Sequence, residues 1–234
     1  MTETRQATPD TGRAAMTRKP SAQRQPQPRK PNPVLERLFE LYPLLFGAQF
    51  LPLKLGVYKD LLALHPDEFK PDDLKVAMGL HARSMRYLEA VAAGHQRHGL
   101  DGNPVESVAP EHVHHAMLEV FRRHQARTRE DLRPRLQLRL MAAIEASGLS
   151  REDYAALVRV QDEATNALLD DAVAELGREA AKREALMRAF TASGRTEAEF
   201  AEMYGMDPVE VVAVLTRVRL DQSAGQTPAS TTAG

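Results

Sequence analysis

The sequence predicts a mainly α protein carrying one small β-hairpin and ending in an all-α extension. Three observations lead there. Ala, Leu, Glu and Arg are abundant, while aromatic residues make up 5% of the 234 positions and Trp is absent, a composition that favours helix. Apolar residues recur at helical spacing beside helix-start and helix-stop residues. One Asp101-Gly102 step lies between two short strand-like runs, the usual sign of a hairpin.

Residues 1–31 are rich in Pro, Gln, Thr and Arg with almost no large apolar side chains. They cannot bury enough surface to offset chain entropy, so a disordered basic arm is expected. Asn32-Pro33 reads as an N-cap followed by Pro in the first turn, opening a short helix over about Val34–Leu41. A second helix is expected over Leu55–Leu64. The third is read as running from Pro71 through Leu88, with Asp72 and Asp73 complementing its N-terminal dipole. Leu74, Ala77, Met78, His81, Met85 and Leu88 form its buried face, and Gly94 ends the element. Arg97–Leu100 and Pro104–Val108 then pair across a two-residue Asp101-Gly102 turn. Pro110 opens another helix with Val113, Met117, Val120 and Phe121 inward.

From Thr128 the composition shifts to Arg, Glu, Ala and Leu. Ser150-x-x-Asp153 and Thr196-x-x-Glu199 are capping-box patterns, Gly148 and Gly194 are helix stops, and Asp207-Pro208 opens a last helix to about Leu220. The expected organisation is an arm at 1–31, a compact domain at 32–127, a helical extension at 128–222 and a disordered tail at 223–234.

Composition also excludes classes of function. There are no cysteines, so neither disulfides nor thiolate metal sites can form, which fits a reducing cytoplasm. The longest nearly apolar run, Leu41–Leu53, is short and broken by Pro43, Gln49 and Pro52, and no secretory signal opens the chain. A cytoplasmic protein without a membrane partner is expected. The net charge of −1 hides an uneven distribution. Residues 1–33 carry seven Lys or Arg against two acids, whereas residues 128–234 carry thirteen against eighteen. No phosphate-cradling Gly loop, Gly-x-Ser-x-Gly or dinucleotide fingerprint occurs, so no enzyme and no cofactor are expected. His112 and His115 share a helix face but lack the carboxylate or Cys partners of a zinc site, so no metal is assigned.

On a wheel of Pro71–Leu88, Lys75, Gly79, Arg83 and Arg86 fall opposite the apolar face. Gly79 sits there at a cost of about 1 kcal/mol relative to Ala and would let another backbone come close. Around this helix lie four further motifs in order: Pro52-Leu53-Lys54-Leu55-Gly56, Arg86-Tyr87-Leu88, Arg97 ten residues after Tyr87, and Leu100-Asp101-Gly102-Asn103-Pro104. Over roughly Asn32–Arg127 the chain resembles the ProQ/FinO family of bacterial RNA-binding proteins.

The resemblance implies a compact domain with a concave basic face. That face would bind hairpin stems and 3′ ends of small RNAs and mRNAs, without catalysis, as an RNA chaperone in post-transcriptional regulation. It implies RNA-binding roles for Lys54, Lys75, Arg83, Arg86, Tyr87 and Arg97, with Arg97 hydrogen-bonding Tyr87, holding its ring and meeting RNA itself. An A-form stem hides its base edges in a deep groove, so shape and backbone contacts would dominate. The chain departs from the family pattern at Pro71 and Gly79, where cations are common, and at His81 and Met85, where aromatics are.

Two other readings come from the C-terminal half. Phe200–Val214 has the small, turn and core offsets of a helix-turn-helix at Ala201, Gly205 and Val211, which would suit a DNA-binding regulator. Asp207 and Glu210 in the first turn of its second helix would repel phosphates, which favours a role in packing or in contacting a protein partner.

Overall fold

A computed structural model describes residues 32–47 and 49–224. The expected basic arm at 1–31 and the tail beyond Ala224 lie outside the described residues. The architecture is mainly helical with one small antiparallel hairpin, as the composition and periodicity predict.

The chain opens with α1 (Pro33–Leu41), whose N-cap Asn32 accepts the Leu35 amide N–H. A single π-helical turn, Pro43–Gly47, follows and buries Leu45 and Phe46. Helix α2 (Val57–Leu64) starts after Gly56, which sits at φ 84, a left-handed position that Gly takes without steric cost. Helix α3 (Pro71–Ala82) and helix α4 (Met85–Ala92) replace the single helix expected over 71–88. The break falls at Arg83-Ser84. Ser84 is extended and its hydroxyl oxygen accepts the Tyr87 N–H, so it caps a new helix instead of continuing the old one. The apolar period survives the break but its residues divide. Leu74 and Ala77 enter one core, while Met85 and Leu88 pack against another. Ser84→Ala is expected to cost about 1 kcal/mol, read as a thermal midpoint lowered by about 2–4 °C.

The hairpin pairs β1 (Arg97–His98) with β2 (Pro104–Glu106). Its connection is longer than the expected Asp-Gly turn and runs through residues 99–103. Gly99 donates to the Asn103 carbonyl, and Asp101 accepts from both the main chain and the side chain of Asn103. Those Asp101 bonds close the loop locally, as Asx side chains do. On its other side β1 meets the Pro52–Lys54 segment in parallel: His98 N–H donates to the Pro52 carbonyl at 2.7 Å, and Lys54 N–H to the His98 carbonyl at 2.9 Å.

Five helices follow: α5 (Pro110–Gln125), α6 (Arg133–Ser147), α7 (Arg151–Val158), the 31-residue α8 (Glu163–Ser193) and α9 (Glu197–Tyr204), before α10 (Pro208–Ala224) ends the described chain. Several sequence signals are realised here. Ser150 and Thr196 are N-caps, the latter in a full capping box, and Gly148 and Gly194 are left-handed C-caps.

Three apolar cores hold the chain. The first gathers Leu38, Phe46, Leu53, Leu61, Phe69 and Leu74 from α1 to α3. The second joins Met117 and Val120 of α5 to Leu136, Leu140 and Ile144 of α6, Tyr154 of α7 and Leu169 of α8. Residues on both sides of position 127 therefore share one core. The third is small and packs Phe200, Ala201, Val211 and Leu215 on Met187 and Phe190 of α8. Among the described residues no helix is long and apolar enough to cross a membrane.

Candidate nucleic-acid interface

Three of the motif segments of the sequence, Pro52–Gly56, Arg86–Leu88 and Arg97, meet at the main chain of Leu53. Its N–H donates to the Tyr87 hydroxyl oxygen at 3.1 Å, and its carbonyl accepts Arg97 Nη1 at 3.0 Å. Arg97 is only 9% exposed. Its Nη2 donates to His112 Nδ1 at 3.2 Å, and its Nε lies 4.0 Å from Glu106 Oε1. Tyr87 is half-buried, and burial pushes its hydroxyl pKa up, opposed by the Leu53 bond and by nearby Arg97. Arg97 thus meets Tyr87 through Leu53, not by the direct bond expected, and most of its hydrogen-bonding capacity faces inward. Tyr87 and Arg97 fix the main chain that carries Lys54.

Lys54 is about two-fifths exposed and pairs with Asp60 at 2.7 Å, which raises its pKa. An incoming phosphate would have to compete with that carboxylate. Lys75, Arg83 and Arg86 are exposed. The Arg86 guanidinium lies 4.2 Å from the centre of the Phe50 ring, a cation–π arrangement that directs it. Arg83 ends α3 and folds back over Gly79: a Cβ at that glycine would come within 3.2 Å of the Arg83 guanidinium. The space at Gly79 is therefore filled by the protein's own Arg83. Lys54, Tyr87 and Arg97 are brought together, and Arg86 joins them through the aromatic pile described next. Lys75 makes no hydrogen bond or ion pair with the group among the described residues.

That pile was not legible as a unit. His81 is 1% exposed and its ring centre lies 4.5 Å from Phe46, 5.0 Å from Phe50 and 4.8 Å from Tyr87. Neither His81 ring nitrogen has a hydrogen-bond partner, and burial lowers its pKa from 6.5 to about 4. Phe50 completes the pile from a left-handed backbone at φ 56, a strained position for a bulky residue. Periodicity marks His81 as inward, but a lone Phe in the loop gives no signal.

The histidines at 112–115 take separate parts: His112 serves Arg97, His114 is buried, and His115 is exposed. Among the described residues no three His, Cys, Asp or Glu groups could hold a metal ion. In the C-terminal half, α9, left-handed Gly205 and α10 do form a helix-turn-helix, with Ala201 and Val211 fully buried. Glu210 stands in the first turn of α10, and Asp207 precedes it. That turn is anionic, which opposes phosphate contact.

The ProQ/FINO family model matches residues 29–133. Among curated proteins the chain is similar to the RNA chaperone ProQ of Shewanella baltica (strain OS223), at 40% identity over 89 residues, which is 36% of this chain and 43% of that protein. It is likewise similar to the RNA chaperone ProQ of Shewanella frigidimarina (strain NCIMB 400), at 40% identity over 91 residues, 37% of this chain and 45% of that protein. The match spans less than half the length of these curated relatives. Among solved structures it is similar to a FinO-like RNA chaperone from Neisseria meningitidis MC58, at 28% identity with a TM-score of 0.33, covering 36% of this chain and 86% of that one.

Proposed function

We propose that this chain, whose residues 29–133 match the ProQ/FINO family model, is a cytoplasmic, non-enzymatic RNA chaperone of that family. It binds structured RNA, hairpin stems and 3′ single-stranded ends of small RNAs and mRNAs, and acts after transcription. The observation that carries this reading is the convergence of three motif segments, Pro52–Gly56, Arg86–Leu88 and Arg97, on the main chain of Leu53. A cluster that spends a buried Arg and a Tyr hydroxyl on one loop has a reason to hold that loop still, and the loop presents Lys54. Lys54, Arg83 and Arg86 then meet phosphates, while Lys75 adds charge along α3. Recognition through shape and backbone suits an A-form stem. The arm at 1–31, with its seven basic residues, adds affinity without sequence preference. Exposed Met203, Tyr204, Val209 and Val212 on α9 and α10 support a protein-contact role for the extension rather than DNA reading.

The test is a salt series on the full chain with hairpin RNA and duplex DNA. RNA is expected to bind more tightly, with a steep dependence on salt. Lys54→Ala and Arg86→Ala should each weaken RNA binding and flatten the log–log salt slope by roughly 0.7–0.9 per lost phosphate. Equal or better binding of duplex DNA would remove the RNA reading.

A further inference from the structure

The stretch from Arg122 to Arg139 holds seven Arg against Glu130 and Asp131, and it forms the corner between α5 and α6. Several of these charges are spent internally: Arg122 and Arg123 share Glu119, and Arg133 pairs with Asp131. Arg127, Arg129 and Arg135 are exposed and make no ion pair among the described residues.

Between α5 and α6 lies a groove of about 390 Å³, lined by Phe121, Leu132 and Leu138 together with His124, Arg135 and Arg139. Arg135, Leu138 and Arg139 stand at i, i+3 and i+4 and so share one face of α6. Leu138 is 66% exposed and stands between the two cations.

The groove adjoins the α3–α4 corner. Arg123 Nη1 donates to the Arg83 carbonyl at 2.7 Å, which seats the end of α5 against the residues that carry Arg83 and Arg86. His124 Nε2 lies 3.8 Å from Glu89, one turn beyond Arg86 on α4, and His124 also lines the groove.

We infer that this groove takes the single-stranded continuation of the RNA whose folded part lies on the α3–α4 corner. Its phosphates meet Arg135, Arg139 and the nearby Arg127, and its bases lie against Leu138 and Phe121. Cations alone would attract any anion, and apolar residues alone would suit any amphipathic segment. Their alternation on one face fits a strand that alternates phosphates with flat apolar bases. The position of the groove beside the α3–α4 corner selects RNA over an acidic peptide. The inference rests on the RNA-binding reading above and extends its footprint beyond the residues that the sequence motifs mark.

The experiment uses the full chain and one hairpin with 3′ tails of roughly 4 and 12 nucleotides, both within the range of typical single-strand site sizes. Arg135→Ala and Leu138→Asp alter exposed positions, and thermal melts confirm that both variants fold. The parent is expected to bind the long-tailed RNA about 10-fold more tightly than the short-tailed one, with a salt slope steeper by about 0.7 per added phosphate. Both variants should lose that increment and keep the affinity for the short tail. The groove assignment is overturned if the variants keep the increment, if they lose both affinities equally, or if the parent ignores tail length. An intact increment with a changed oligomeric mass in Leu138→Asp would assign the groove to a second copy of the chain. A parent that binds neither RNA overturns the RNA-binding reading itself, and this inference with it.

Discussion

Arg97→Ala is expected to destabilise the chain by about 3–5 kcal/mol and to abolish RNA binding at temperatures where the parent is folded. Arg97 is almost fully buried, and its guanidinium serves the Leu53 carbonyl, His112 and the fringe of Glu106. Hydrogen bonds from a charged group are each worth about 1.5–3 kcal/mol, and removing the donor leaves buried acceptors without a partner. Arg97→Lys should recover only part of the loss, because one ammonium cannot reproduce the planar fork that reaches Leu53 and His112 together. Tyr87→Phe removes a single acceptor from the Leu53 N–H and should cost about 1–2 kcal/mol. Denaturant melts and RNA titrations on the same samples separate the two roles of Arg97. If Arg97→Ala melts with the parent yet fails to bind RNA, Arg97 is a contact residue and the Leu53 clamp carries little of the fold.

The sequence singled out Arg97, but not its place in the fold. The ten-residue spacing from Tyr87 and the Pro52–Gly56 segment are visible as strings. That Tyr87 and Arg97 both hold the main chain of Leu53 depends on contacts between residues 34 and 44 positions apart in the chain, which no local pattern encodes. Caps were the most legible features, because Asn32, Ser150 and Thr196 act on amides only three residues away. The break at Ser84 escaped for the opposite reason. A helical period runs through it unbroken, since α3 and α4 happen to keep phase while sending their apolar residues to different cores. Ser84 itself is a preferred N-cap residue, so the signal was present but outweighed by periodicity. Gly79 shows the same limit at the site: glycine indicates room, and only the fold shows that Arg83 occupies it.

Acid should begin to destabilise this chain at a pH where its carboxylates are still ionised. His81 lies in the aromatic pile and His114 lies between α5 and α7, its Nδ1 3.3 Å from the hydroxyl of buried Tyr154. Burial lowers both pKa values from 6.5 to about 4, and for His114 the neighbouring His115 adds to the effect. The unfolded chain therefore takes up protons first as the pH falls. Stability is unaffected by these two groups above about pH 6.5, declines between 6.5 and 4, and levels off below 4. At 1.36 kcal/mol per pH unit, each histidine costs at most about 3 kcal/mol across that window. Together they rival the whole stability of a typical domain. His81→Phe should remove about half of the decline, because a ring without titratable nitrogens fits among Phe46, Phe50 and Tyr87. It should also stabilise the chain near neutral pH by about 1 kcal/mol, since it ends the burial of two unpartnered nitrogens, less the strain of a slightly larger ring. Denaturant midpoints from pH 7.5 to 4 in the parent and in His81→Phe provide the measurement. A parent whose midpoint stays level from pH 6.5 to 4.5 would show that the two imidazoles protonate inside the folded chain at little cost, and that the pile beneath Arg86 opens to water.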